Sequence, residues 1–525
     1  VGCALQQGLT DSRRDLSELI EVPFICITDF QGTLELQTNA AYCLHSESNS
    51  NLASGENILA TLTFYGAARQ VTGSCYLLES PASGRILLEC GMHQGGDAVK
   101  RTGEEQFDFN PATINAVVLS HGHLDHSGML PKLVHSGFSG PVYCTPATKG
   151  LLKILLEDSW GLYQRDIEHT NRRRQRAGKK LLTLEYLERD VKKVLKLCEP
   201  VPYQSQFKLG AAATLCFHDA GHILGSAIVE LTLVEDGKEK RLVFSGDLGN
   251  TDSALMRDPA ELSQADVLLM ESTYGNRNHR NMGNTLEQFS TILSEAWQRG
   301  GTVMIPAFAV GRTQEIIYHL GCLHKEGKLD NWTVFLDSPM AIDVTQVYDN
   351  WLNILDRDDI KCLTDAGRES LEKFLPRLRL TDSTEQSMAI NKIESGAIII
   401  AGSGMCTGGR IRHHFKHRIW SRKNTIIFAG FQAQGTLGRL LVDGVKKIKM
   451  FGDDFVVKAN IETLGGFSAH AGQKELIQWA NNFSPAPRLV LIHGEISAME
   501  ALSAKLLEDH NFVSEIPSQG DSIEF

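Results

Sequence analysis

The sequence has no CxxC pair among its 11 cysteines and no long apolar run. An odd number of cysteines at irregular spacing excludes a disulfide framework and a thiolate zinc site. Reduced, mostly buried thiols are the expectation. The longest apolar stretches are of the size of Ala397-Ile-Ile-Ile-Ala401, well short of the roughly 18 residues that a membrane span needs. Positive charge is also in deficit: 52 Lys+Arg stand against 63 Asp+Glu, a net charge of −11. That balance argues against a non-specific nucleic-acid coat or a polybasic membrane binder, and leaves a local basic groove open. The chain opens at Val1, as a fragment or processed product would, and shows no basic segment followed by an apolar leader. A cytoplasmic protein with no membrane partner is expected.

What is present is an ordinary globular chain. It has 525 residues, 42% of them hydrophobic and 22% charged, enough for two to four domains at about 150 residues each. Residues 1–56 stand apart. Val22–Thr28 suggests a strand, and the polar run from Ser46 to Asn57 reads as a linker. From residue 58, strand patterns at 58–65, 74–79, 85–89 and 116–120 lead into helical patterns at 151–160 and 181–197. Strands return at 213–218, 227–234, 242–245 and 267–270. This alternation predicts a layered α/β domain. Thr285 and Gln288 predict a capping box at a helix start. Strands at 303–306, 333–336, 397–401 and 425–429 then alternate with helices as a second α/β unit. A late strand at 455–461, a helix at 473–481 and a strand at 489–492 follow.

The densest chemical signal is His121-Gly-His123-Leu-Asp125-His126, directly after an apolar strand. Residues two apart in an extended loop, His121 and His123, can converge on one ion, and Asp125 with His126 on a neighbouring one. Imidazole and carboxylate suit Zn²⁺. His222, in a Gly-flanked loop, and Asp247, after Ser245-Gly246, are placed alike. Glycines let the backbone approach closely there.

The order HxHxDH, single His, single Asp, each after a strand, resembles the metallo-β-lactamase fold of binuclear zinc hydrolases. Later segments resemble its β-CASP subfamily: Leu269-Met-Glu271-Ser-Thr-Tyr-Gly275, Pro306-Ala-Phe-Ala-Val-Gly-Arg312, Asp337-Ser-Pro-Met-Ala341, Phe467-Ser-Ala-His470 and Leu491-Ile-His493-Gly-Glu495. The similarity is strongest to RNA-cleaving members, which include the nuclease subunit of the mRNA 3′-end cleavage complex and its bacterial and archaeal relatives. It covers about residues 58–525. The resemblance implies a four-layer αββα sandwich in two parts, 57–274 and 441–525, with an inserted α/β cap at 275–440. It implies two Zn²⁺ ions, one on His121, His123 and His222, the other on Asp125, His126 and His493, with Asp247 between them. It implies His470 as general acid or phosphate contact and Glu271 as the acceptor that orients a histidine ligand or His470, with Asp125 counted among the catalytic groups. Glu89 departs from the family pattern, which has Asp there, so a longer side chain must make that outer contact.

For the substrate, the basic run Arg172-Arg173-Arg174-Gln-Arg176 with Lys179-Lys180 lies between two predicted helices and is a candidate backbone contact. Ser403 and Gly404 open a Gly-rich loop suited to phosphate, and Arg312 and Arg439 match family positions in the cap. His413, His414 and His417 read as a solvated or RNA-facing helix. The leading expectation is a zinc-dependent ribonuclease acting on single-stranded RNA, endo- or 5′→3′ exonucleolytic, in RNA processing or decay, with a homodimer as the candidate assembly. The alternatives are a thioester-type small-molecule metallo-hydrolase, a non-catalytic RNA-processing subunit, and DNA as substrate.

Overall fold

Two seven-stranded sheets pack face to face and carry helices on their outer sides. A computed structural model describes residues 60–93, 106–235, 237–251, 253–364 and 369–525. The expected N-terminal strand and linker lie outside those residues. The stretch Ile58–Phe525 is one compact unit.

The first sheet runs in the order Ser522–Glu524, Thr61–Gly66, Cys75–Ser80, Gly84–Leu88, Ala116–Val118, Val142–Cys144, Cys198–Pro200. The second runs Ser514–Glu515, Arg488–Ile492, Val267–Glu271, Lys238–Phe244, Ala227–Glu235, Ala213–Asp219, Phe207–Leu209. Strand side chains alternate between faces, and here both faces are buried. Leu62, Phe64, Tyr76 and Leu88 meet Leu215, Phe217, Leu242, Phe244 and Leu269 between the sheets. The opposite face of the first sheet, with Leu77, Leu87 and Val117, packs on helix residues Leu133, Leu152, Leu156 and Val194. The opposite face of the second, with Val243 and Leu268, packs on Leu476, Trp479, Leu502 and Leu506. These contacts make the expected four-layer αββα order.

The third sheet has six strands, all parallel, in the order Leu378–Leu380, Thr333–Leu336, Ala397–Ala401, Val303–Pro306, Thr425–Ala429, Asn460–Leu464. Its two faces are covered by separate apolar clusters, as a parallel sheet requires. The sheet runs past residue 440, where the sequence reading ended the cap: Thr425–Ala429 pairs with Asn460–Leu464. The chain then re-enters the sandwich. Arg488–Ile492 lies parallel to Val267–Glu271, and Ser522–Glu524 closes antiparallel on Thr61–Gly66.

Two local expectations fail for tertiary reasons. The helical pattern at 181–197 becomes a helix only at Glu188–Leu197. The preceding chain is tied instead to the long helix Pro146–Arg176: Asn171 holds both the N–H and the C=O of Leu182 at 2.8 and 2.9 Å, and Arg174 donates to Lys180 O at 2.6 Å. The capping box at Thr285 and Gln288 does not form. The helix starts earlier, at Met282–Gln298, with Asn281 as the cap, and Thr285 is buried inside it, donating to Asn281 O at 3.0 Å.

Candidate metal centre

The chemistry-bearing residues collect where strands of both sheets end. His121 and His123 follow Ala116–Val118, His222 follows Ala213–Asp219, and Asp247 follows Lys238–Phe244. Glu271 closes Val267–Glu271, and His493 follows Arg488–Ile492. Gly246 permits this convergence. It has φ +54°, and a Cβ there would come 2.7 Å from the Ser120 Cβ, so a larger residue would push Asp247 away from the histidine loop.

Three imidazole nitrogens meet at one point. His123 Nδ1 lies 3.0 Å from His121 Nε2 and 3.2 Å from His222 Nε2. The opposite nitrogens of two of these rings are already engaged: His222 Nδ1 donates to Ala469 O at 2.9 Å, and His121 Nδ1 bonds Ser120 Oγ at 3.0 Å. Asp247 Oδ2 stands 3.5 Å from His121 Nε2, 3.6 Å from His222 Nε2 and 3.4 Å from His126 Nε2. It therefore faces both this group and a second one formed by Asp125, His126 and His493.

The donor set fits metal ions on three observations. Zinc–nitrogen bonds of 2.0–2.1 Å in a tetrahedron put ligand nitrogens about 3.3 Å apart, close to the spacing seen. His126 Nε2, His493 Nε2 and Asp247 Oδ1 are buried, with no hydrogen-bond partner among the described residues, an arrangement that is costly unless a ligand occupies it. Protonation of three ligands points the same way: burial pushes His121 and His222 well down and His123 down, so these rings hold free lone pairs. Burial raises Asp125, but His493, His126 and His123 outweigh it and hold its carboxyl at about 2.

The outer contacts set which nitrogen faces inward. Thr273 Oγ1 donates to His493 O at 3.2 Å and so accepts from His493 Nδ1 at 3.2 Å, leaving Nε2 free. Glu89 is fully buried at φ +64°. Its Oε1 accepts from Ser120 N at 2.6 Å, and its Oε2 lies 3.3 Å from His126 Nδ1, near but poorly aligned for a hydrogen bond. The longer side chain therefore reaches His126 from a left-handed backbone. Glu271 Oε1 accepts from Leu248 N at 2.7 Å and from His470 Nδ1 at 3.1 Å. His470 Nε2 then points to Asp247 Oδ2 at 3.9 Å. Burial pulls this imidazole down, yet the Glu271 and Asp247 carboxylates push it up to about 9.

The substrate candidates are scattered. Arg172, Arg173 and Arg174 lie in the final turns of the helix Pro146–Arg176, not between two helices, and their contacts are local. Arg312 is buried and paired with Glu315, lining a cavity of about 20 Å³ beside His222. Its side chain is largely withdrawn from solvent there. Arg439 pairs with Asp443 at 2.9 Å. Ser403 Oγ accepts from Gly408 N at 3.2 Å, closing the Gly-rich loop on itself, and Gly404 sits beneath Phe308. His414 is not solvated: it is buried, with Nε2 at 2.6 Å from Asp337 Oδ2, in a network with Ser387, Thr381 and Arg410.

Sequence reasoning missed Thr273 and Ser120, whose hydroxyls carry no spacing signal. It also missed Cys216, His218 and Glu230, which cluster on neighbouring strands. There Glu230 is already shared between His218 at 2.8 Å and Arg241 at 3.1 Å, a closed ion-pair set.

Comparison with known proteins adds three family matches: "Metallo-beta-lactamase superfamily" over residues 68–291, "Beta-Casp domain" over 313–441 and "Zn-dependent metallo-hydrolase RNA specificity domain" over 454–517. The chain is 38% identical over 445 residues to Ribonuclease TTHA0252 of Thermus thermophilus, covering 84% of this chain and 95% of that protein. It is 33% identical over 460 residues to Transcription termination factor FttA of Methanosarcina mazei, covering 85% and 68%. A crystal structure of a protein of unknown function from Enterococcus faecalis V583 superposes with TM-score 0.50 at 13% identity over 89% of this chain and 100% of that one, a likeness of fold alone.

Proposed function

Because this chain belongs to the β-CASP group of the metallo-β-lactamase superfamily, we propose that it is a zinc-dependent ribonuclease. It hydrolyses phosphodiester bonds of single-stranded RNA in the cytoplasm and leaves a 3′-hydroxyl and a 5′-phosphate, in RNA processing or decay. The observation that carries the reading is the convergence of three imidazole nitrogens at 3.0–3.2 Å beside an Asp247 oxygen common to a second ligand group. The matched RNA-specificity domain and the relative named ribonuclease support RNA as the substrate.

His121, His123 and His222 would hold one Zn²⁺ ion, Asp125, His126 and His493 a second, and Asp247 would serve both. Two such ions neutralise phosphate oxygens and make a water nucleophilic near neutral pH. The chain's own residues do the rest. Glu271 fixes His470 through Nδ1, so the proton on Nε2 faces the reacting centre. The departing 3′ oxygen is a poor leaving group, and the protonated His470 donates to it from Nε2. The Glu271 carboxylate, bonded to Nδ1, favours the protonated ring. Asp125 is held ionised beside His493, the form in which a carboxylate can hold a cation.

The test is cleavage of labelled single-stranded RNA by wild type, Asp247→Ala and His470→Ala. Both variants are expected to lose at least about 100-fold in rate, the scale of a general-acid contribution. Undiminished cleavage by either would overturn the assignment. A timed digest of 5′-blocked against unblocked RNA separates endo- from exonucleolytic action. Light scattering reads whether the working unit is a homodimer.

A further inference from the structure

Aromatic side chains that the reaction leaves unused stand beside the site. Tyr274 follows strand Val267–Glu271, and its ring lies 5.9 Å from that of His470, edge to face at 83°. Phe431, in the loop after strand Thr425–Ala429, stands 6.4 Å from Tyr274 at 82°. The guanidinium of Arg277 covers both rings, 4.8 Å from the centre of Tyr274 and 4.9 Å from that of Phe431. Phe308 occupies the loop after Val303–Pro306, the neighbouring strand. Its ring lies against Gly404, where a Cβ would come within 2.7 Å of it. Gly404 O accepts from Gln432 Nε2 at 3.1 Å, and Gln432 directly follows Phe431. The two phenylalanines therefore belong to joined loops at the carboxyl ends of adjacent parallel strands, where open α/β sheets bind ligands.

Both rings are exposed, Phe308 by 45% and Phe431 by 42%, even though Arg277 covers one side of Phe431. Large apolar rings left in water on loops held by a buried glutamine, one of them packed on Tyr274 beside His470, point to a ligand with flat apolar faces. Arg277 is stacked, and among the described residues no carboxylate pairs with it. Its donors remain available to an anion, a use for which the planar guanidinium is suited.

We propose that Phe308 and Phe431 form a nucleobase-stacking platform beside the metal centre, with Arg277 as its phosphate contact. The proposal rests on the ribonuclease reading and adds how the substrate is gripped. Every base has a π face, so stacking is indifferent to sequence. Bases inside a duplex have both faces occupied by their neighbours. The platform thus selects unpaired strands without reading sequence.

The test measures KM and kcat of the zinc-loaded enzyme on a single-stranded RNA oligonucleotide and on the same strand with abasic riboses placed in turn along it. Wild type, Phe308→Ala, Phe431→Ala and Phe431→Trp are compared. Stacking contributions per base correspond to about 5- to 150-fold in affinity. Phe431→Ala and Phe308→Ala are expected to raise KM by that factor, and Phe431→Trp to restore it. One abasic position should raise the wild-type KM equally yet add little in Phe431→Ala. An unchanged KM in both alanine variants, or abasic and Phe431→Ala effects that multiply, overturns the platform. Wild type that cleaves no RNA overturns the ribonuclease reading instead.

Discussion

Replacing Glu89 by Gln keeps the shape of a fully buried side chain and changes what it offers to a histidine. In the protein, Oε1 takes the Ser120 N–H at 2.6 Å and Oε2 faces His126 Nδ1 at 3.3 Å. That carboxylate favours the proton on Nδ1 and leaves Nε2, 3.4 Å from Asp247 Oδ2, as the inward lone pair. A Gln amide placed to keep the Ser120 bond would turn its NH₂ toward Nδ1. The ring would then hold its proton on Nε2, the atom a metal ion must displace. Losing such an outer contact weakens metal binding by about 10- to 100-fold, or roughly 1.4–2.8 kcal/mol. The effect should be confined to the ion on Asp125, His126 and His493. Competition with a chromophoric chelator, with zinc counted per chain, reads both affinities. One zinc bound as in wild type and one weakened by that factor is the expected result. Glu89→Asp keeps the charge but shortens the reach by about 1.5 Å, one carbon–carbon bond, so it should weaken the same ion. Two wild-type affinities in Glu89→Gln, with an unchanged circular dichroism spectrum, would refute the reasoning.

Thr273→Val removes the hydroxyl that accepts from His493 Nδ1 and donates to His493 O. Leaving the partly buried N–H without an acceptor costs about 1–3 kcal/mol. A lower melting temperature together with weaker binding of the same ion is expected, and a melting curve superimposable on wild type would count against it. In the cap, burial raises the Asp349 carboxyl to about 6 while it accepts from Leu371 N at 2.9 Å. A raised folded-state value means that its stabilising contribution is complete below about pH 4, the ordinary carboxylate value, and is lost as pH rises through about 6. Melting temperatures of Asp349→Asn and wild type should therefore agree near pH 4 and diverge above pH 6, with the variant higher. A difference independent of pH would contradict the assignment.

Local pattern made much of this molecule legible. The strands at 303–306, 333–336, 397–401 and 425–429 stand where the alternation of apolar runs put them. Runs this short and this rich in β-branched Ile and Val suit strands buried on both faces. The helix at 181–197 was misread because its apolar spacing is real, while Asn171 and Arg174 tie residues 180–182 to another helix. The buried His414 was misread for a similar reason. Its spacing with His413 and His417 is helical, but Asp337, on a different strand, decides its environment.

The sequence by itself determined which residue types are available for metal chemistry and the order in which they follow strands. Ligand identity is a property of side chains, and four of the donors lie within six residues, from His121 to His126. Tertiary structure chose among the histidines open to Glu271, pairing it with His470 across 199 positions, and alone paired Thr273 with His493 across 220 and His222 with Ala469 across 247. These depend on sheet register, which sets strand ends side by side whatever their separation in the chain. It also buried Arg312 and left Phe308 and Phe431 in the open. Exposure is set by what packs above a residue, and no spacing along the chain encodes it.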